Sequence, residues 1–185
     1  MRKINVIGTS GSGKSTFARA LAQALDYPYI EMDALFWKPN WQESGDAEFF
    51  AKIRHATDAD AWVLDGNYTR SQPIKWRDID TIIWIDFGLL RTFYQALKRA
   101  LSRIWTGQEL WPNTGNRESL RLLFSRHSIL LWTLRMYPIN KKRYATLMND
   151  PTLAQINFVR LTSTKQCQLF LTQLATRAKQ SNWDT

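Results

Sequence analysis

Cysteine is almost absent from this chain of 185 residues: Cys167 stands alone. A single cysteine excludes an intrachain disulfide framework and fits a reducing compartment. Within "KQCQLF" it reads as a small apolar filler on a late helix. Long apolar runs are missing too. The longest, "SILLWTL", falls well short of the ~18 to 20 residues that a membrane span needs. The N-terminal "MRKINVIG" has neither the apolar segment nor the cleavage site of a signal peptide. The expectation is therefore a cytoplasmic protein with no membrane partner. Histidine is limited to His55 and His127, each isolated in a helical stretch and without metal-ligand spacing. Repeats and low-complexity tracts are absent.

Acidic residues are scarce in one place. From Phe87 to Leu147 there are eleven Lys or Arg residues against Glu109 and Glu118, while the remaining 14 basic and 14 acidic residues cancel. The whole net charge of +9 therefore sits in one segment. A neutral body with one basic segment suits an anionic partner, either a polyphosphate nucleotide or a nucleic acid. A solvated basic helix face is the third reading of the same charges.

What is present alternates. "KINVI" reads as a buried strand, and Lys14 to Leu25 as a helix, with Phe17, Ala18, Leu21, Ala22 and Leu25 on one face. "YPYIEMD" reads as a second strand, followed by an aromatic loop, "ALFWKPNW", and a helix around Ala47 to His55. "AWVLDG" and "TIIWID" are the third and fourth strands, and Leu90 to Ile104 is helical. The turn-rich loop "WTGQELWPNTGN" comes next, then a long helix from Glu118 to about Tyr137 with Pro138 just beyond it. "INFVRL" is the fifth strand and Lys165 to Lys179 a closing helix. Five apolar strands alternating with helices predict an α/β three-layer sandwich, a parallel sheet covered on both faces. The expectation is one domain over 1–185, with a lid inserted at about 105–117.

Between the first strand and its helix lies "GTSGSGKST". Gly8, Gly13, Lys14 and Ser15 fit the phosphate-loop pattern GxxxxGK[ST] in full. Glycines, here with Gly11, let successive backbone N–H groups turn inward into a nest for phosphate oxygens. The helix start adds the positive end of its dipole. Ser10, Ser12 and Thr16 complete the polar lining. Lys14 offers a mobile charge to the β- and γ-phosphates, and Ser15 a hydroxyl to Mg²⁺. A glycine turn that merely joined strand to helix would not need Lys and Ser directly after its last glycine. The sequence thus predicts an ATP site with Mg²⁺.

A second metal-side carboxylate is expected at the end of a neighbouring strand. Asp65 in "VLDG" fits, and an Asp-Gly turn is its other reading. Asp86, after "IIWI", either takes that place or caps the following helix.

The set "GTSGSGKST", "MDALFWKPNW", "VLDGNY", "RDIDTIIWIDF" and "ALKRAL" resembles the adenylate-kinase-like group of P-loop small-molecule kinases, and within it the topology-modulation proteins. The likeness covers most of the chain. It implies the P-loop NTPase fold with five parallel strands, ATP on the phosphate loop, the acceptor opposite, and an arginine-bearing lid. It puts Asp33, after the second strand, where such kinases hold an acceptor-binding or proton-accepting carboxylate; a turn cap is the alternative. Asn67, Tyr68 and Arg70 fall where nucleoside monophosphate kinases bind the acceptor phosphate. Adenylate kinases typically read DGFPR there, whereas this chain reads DGNYTR, with the arginine one residue later. Trp37, with Phe36, Trp41 and Tyr68, either lines an aromatic acceptor pocket or packs as core. Arg99 and Arg103, four apart on one helix face, precede the lid and Arg117 follows it. These three are the candidates for stabilising the transferring group. Arg121, Arg126, Lys142 and Arg143 read equally well as solvated charges. "VRLTSTKQ" falls where related kinases pass a loop over the adenine.

The reading that follows is a kinase acting on a nucleoside, a nucleoside monophosphate or another small metabolite. The alternative is an ATP-binding protein associated with nucleic acid and modulating DNA topology, although no nucleic-acid recognition module is visible. A nucleotide-binding regulator without transfer activity is a third.

Overall fold

The apolar runs form five strands: β1 (Lys3–Gly8), β2 (Tyr29–Glu31), β3 (Trp62–Asp65), β4 (Thr81–Ile85) and β5 (Asn157–Leu161). In the computed structural model of the chain, which describes residues 1–126 and 128–181, they pair in the order β2-β3-β1-β4-β5. Every pairing is parallel. His127 lies outside the described residues.

Alternation along the strands makes two cores. Ile7, Leu64, Ile82 and Trp84 face one side with Phe49, Ile53 and Tyr144. Ile4, Val6, Val63, Ile83 and Ile85 face the other with Phe17, Ala18, Leu21 and Cys167. Cys167 is thus the apolar filler expected, and burial pushes its thiol pKa up. Strands buried on both faces need apolar residues at every position, which is why their sequence shows no polar alternation.

The helices follow in chain order: α1 (Lys14–Leu25), α2 (Met32–Phe36), α3 (Asp46–Ala56), α4 (Gln72–Lys75), α5 (Leu89–Thr106), α6 (Leu120–Leu123), α7 (Ile129–Met148) and α8 (Thr164–Ser181). α1 and α8 cover one face of the sheet. α3 and α7 cover the other. The predicted α/β three-layer sandwich is the observed fold.

Two expectations need correcting. The second strand stops at Glu31, and "MDALF" turns into a single helical turn. Met32 and Phe36, four apart on one face of that turn, both go into the core. The long helix predicted over 118–137 is broken instead, and Pro138 lies inside α7 rather than after it. Two serine caps set these ends. Ser119 Oγ accepts from Leu122 N at 3.1 Å and Ser128 Oγ from Leu130 N at 3.2 Å. Pro138 removes the N–H that would bond to the Leu134 carbonyl, and Leu134 itself lies on an exposed part of the helix.

Order at the centre of the sheet is reinforced by one buried polar residue. Asn5 Nδ2 donates to the carbonyls of Leu64 (3.0 Å) and Gly66 (3.1 Å), and Asn5 Oδ1 accepts from Trp76 Nε1 at 2.9 Å. These bonds fix the chain just where β3 ends and the candidate site begins.

Candidate functional site

The loop Thr9–Gly13 leaves β1 and enters α1 between β3 and β4, the point where strand order changes direction, as expected for ligand sites in open α/β sheets. Its glycines have structural reasons. Gly11 has φ +83°, and a Cβ there would lie 2.4 Å from the Thr92 carbonyl oxygen and 2.8 Å from Ala96 Cβ. α5 therefore packs directly on the loop. Gly13 has φ +88° and stands before α1 with no side chain capping the helix. The first N–H groups of α1 are left for another acceptor.

Lys14 and Ser15 are half-buried and Thr16 is exposed. The Lys14 ammonium lies 3.8 Å from Asp65 Oδ1. Asp65 is buried at the end of β3, and its Oδ2 accepts from the Tyr29 hydroxyl at 2.9 Å. Burial, then the carboxylates of Asp65 and Glu31, push the Tyr29 pKa up, so that phenol stays protonated and a donor. Asp65 Oδ1 has no hydrogen-bond partner, and neither does the buried Ser12 Oγ. Unpaired buried oxygens cost about 1–3 kcal/mol each. Both face the region of the phosphate loop, so the arrangement fits a ligand that supplies their missing partners. Among the described residues no cluster of three His, Cys, Asp or Glu side chains could hold a metal unaided. Asp86, the other carboxylate considered, is instead paired with Arg160, whose Nε donates to its Oδ2 at 2.9 Å. It does not cap α5, whose N-cap is Gly88.

Asn67 behaves differently from expectation. Its Oδ1 accepts from Gly8 N at 3.0 Å and its Nδ2 donates to Gly8 O at 2.8 Å. The side chain pairs with the start of the phosphate loop as a strand would, so its amide serves that loop rather than an acceptor. The 66–68 turn is itself held by a residue that sequence reasoning missed. Lys75, fully buried, donates to the carbonyls of Gly66 (3.2 Å) and Asn67 (2.6 Å). Burial lowers its pKa from 10.5 to about 7.

On the acceptor side, Tyr68 donates to Asp33 Oδ1 at 2.6 Å. Burial and the Asp33 charge push the phenol pKa up. Arg70 pairs with Asp46 at 3.2 Å and covers the Phe36 ring at 4.9 Å. Asp33, Tyr68, Arg70 and Phe36 are thus brought together. Trp37 stacks on Trp111 at 5.9 Å and 14°, while Trp41 meets both rings edge-on.

Trp111 belongs to the insertion. α5 runs on to Thr106, past the expected lid boundary, and the loop beyond is closed by an antiparallel bridge between Glu109 and Arg117. Asn116 docks it: Oδ1 accepts from Trp41 N and Nδ2 donates to Lys38 O, both at 2.9 Å. The insertion therefore rests on the aromatic loop after α2. Arg99 Nη2 donates to Ser10 Oγ at 3.2 Å. Arg103 is half-buried; desolvation and the nearby Arg99 charge lower its pKa, and Glu118 opposes them. Arg117 is exposed.

The family model for shikimate kinase matches residues 10–54, well under half of the chain but including most of the phosphate loop and Asp33. No curated protein matches in sequence. Among solved structures, the shikimate kinase from Acinetobacter baumannii in complex with shikimate is 14% identical. It covers 98% of this chain and 94% of its own, with a TM-score of 0.57. The shikimate kinase from Bacteroides thetaiotaomicron is 12% identical over 95% and 97%, TM-score 0.54. The gluconokinase from Sinorhizobium meliloti 1021 is 17% identical over 97% of both chains, TM-score 0.50. Identities this low speak for the fold alone, and the chain shares its fold with these shikimate kinases and this gluconokinase.

Proposed function

We propose that this protein transfers the γ-phosphoryl group of ATP to a hydroxyl of a small acceptor. The observation that carries the reading is the pair of orphaned oxygens, Ser12 Oγ and Asp65 Oδ1, beside Lys14 at the uncapped start of α1. The amides of Ser10, Gly11 and Gly13 form the cradle, Gly8 and Ser12 shape it through their bonds to Asn67 and Thr9, Lys14 holds the β- and γ-phosphates, and Thr16 adds a hydroxyl. Ser15 and Asp65 would hold Mg²⁺, which when bound draws charge from the phosphate oxygens.

Asp33 orients the acceptor hydroxyl and takes its proton as the new O–P bond forms and the bond to the ADP oxygen breaks. Tyr68 fixes one Asp33 oxygen and leaves the other for the acceptor. Trp37, Tyr68 and Arg70 line the acceptor side, with Asn67 aligning the loop. Arg99, Arg103 and Arg117 neutralise charge on the equatorial oxygens, an effect worth ~10³ or more in rate where an arginine is well placed. The insertion acts as the lid of a single domain. Catalysis rests on positioning and preorganised charge, without a covalent intermediate.

The nucleic-acid alternative rested on the resemblance to topology-modulation proteins and on the basic segment. Part of that charge, Arg99, reaches Ser10 of the phosphate loop with Arg103 near it, where a triphosphate would use it. The test is ATP turnover with Mg²⁺ across nucleosides, nucleoside monophosphates, shikimate and other small hydroxylated metabolites, with Lys14→Ala as control. The expected result is one acceptor class that becomes phosphorylated and raises ADP production, with a loss of at least about 10³-fold in the variant. Turnover that survives Lys14→Ala, or ATP binding with no acceptor phosphorylated, overturns the proposal.

A further inference from the structure

α5 carries its bulk on the outside. Its inward face is small, with Thr92, Ala96 and Ala100 buried against the phosphate loop. Four of its large apolar residues, Leu90, Tyr94, Leu101 and Trp105, follow one line along the helix and are all exposed, Leu90 at 86% and Trp105 at 92%, while Phe93, Leu97 and Ile104 are half-buried. A surface helix of a globular protein ordinarily turns such a stripe to the core. The neighbouring segments continue it. Leu120 on α6, Phe124 just after it (83% exposed), and Leu131, Trp132 and Leu134 at the start of α7 all face solvent. α5 and α7 pack against each other. An apolar surface of this kind marks an interaction site.

Charge says what covers it. Neither α5 nor α7 carries an acid, and Lys98 on α5 and Arg135 and Lys142 on α7 stand exposed; Arg99 and Arg103 turn inward, and Arg91 and Arg143 are held by Thr164 and Thr69. Arg121 and Arg126 lie between them, both exposed. The two acids of the segment are engaged within the insertion. Glu118 is half-buried near Arg103 and Arg99, and Glu109 accepts from the Gly115 amide. The partner is therefore anionic and apolar at once. A second copy would set positive charge on positive charge. Nucleic acid offers bases for stacking, and most of the exposed apolar side chains are leucines, which do not stack. Leu and Trp beside Lys and Arg are the composition of helices lying in a lipid interface.

We propose that the outward face of α5, with α6 and the start of α7, docks on an anionic lipid surface. The contact is interfacial, because no described helix is long and apolar enough to cross a membrane. It does not depend on the kinase reading.

The test is co-sedimentation of the full chain with vesicles of phosphatidylcholine alone and of phosphatidylcholine with an equal share of phosphatidylglycerol, at low and high salt. The comparison is the double variant Leu90→Glu, Trp105→Glu. Both positions are exposed, and unchanged circular dichroism and ATP binding verify its fold. Binding to the anionic vesicles alone is expected, with a blue shift of tryptophan emission and at least about a tenfold loss in the variant and in high salt. Failure to bind anionic vesicles, or equal binding by the variant, overturns the proposal. So does tight binding of a single-stranded oligonucleotide that the variant loses, or a dimer in light scattering that the variant dissociates.

Discussion

Lys75 turns the fold into a measurable pH dependence. Its ammonium is fully buried, its acceptors are the backbone carbonyls of Gly66 and Asn67, and no acidic side chain of the described residues pairs with it. Desolvation lowers its pKa from 10.5 to about 7. The folded value lies below the unfolded one, so between pH 7 and 10.5 the unfolded chain binds more protons and stability rises with pH. Below pH 7 the buried charge exerts its full cost. The whole shift corresponds to a ceiling of about 5 kcal/mol, and the part realised between pH 7 and 9 is about 2 kcal/mol. Lys75→Met keeps the shape and removes the titration. Urea unfolding followed by tryptophan fluorescence gives both stabilities at each pH. The difference between wild type and variant should grow in favour of wild type by about 2 kcal/mol from pH 7 to 9. Groups such as Cys167 titrate in both proteins and cancel. If the two pH curves run parallel, Lys75 is not a desolvated ammonium and the reasoning fails.

Asn67→Ala removes both bonds to Gly8 and should weaken nucleotide binding by about tenfold and stability by about 2 kcal/mol, read by calorimetry and thermal melting. Gly11→Ala places a methyl group against the Thr92 carbonyl oxygen in a backbone conformation that alanine rarely adopts. A loss of about 3 kcal/mol or failure to fold is expected, where Gly45→Ala, with open space around it, is close to neutral. Asn116→Ala strands the Trp41 amide and Lys38 carbonyl and should change near-UV circular dichroism from the tryptophan stack while costing only about 1–2 kcal/mol.

Legibility in the sequence followed locality. The phosphate loop could be read because its chemistry is contiguous: glycine, lysine and serine act within a few residues of one another. The central strands could be read because burial on both faces leaves them mostly apolar, with Asn5 and Thr81 among the buried polar exceptions. What escaped depends on partners far along the chain. Lys75 looks like any surface lysine until α4 buries it against the turn that follows β3. Tyr29 shows no mark of its bond to Asp65, thirty-six residues away. Asn67 sits in a motif whose relatives suggest an acceptor contact, yet in three dimensions Gly8 is its nearest unmatched backbone. Pro138 marked a helix end by local rules, yet α7 continues through it.

The insertion shows what such distant contacts can do together. Sequence placed it beside arginines and so over phosphates, but its densest contacts lie on the other side, where Trp111 meets Trp37 and Trp41 and Asn116 bonds to residues 38 and 41. On α5, which leads into it, Arg99 touches Ser10 of the phosphate loop, and at its far end Arg117 adjoins Asn116. α5 and the insertion together thus span from the phosphate loop to the aromatic loop after α2. The insertion is therefore tied to the aromatic loop after α2 by the Trp37–Trp111 stack and the two Asn116 hydrogen bonds, and Arg117 is the next residue along the chain.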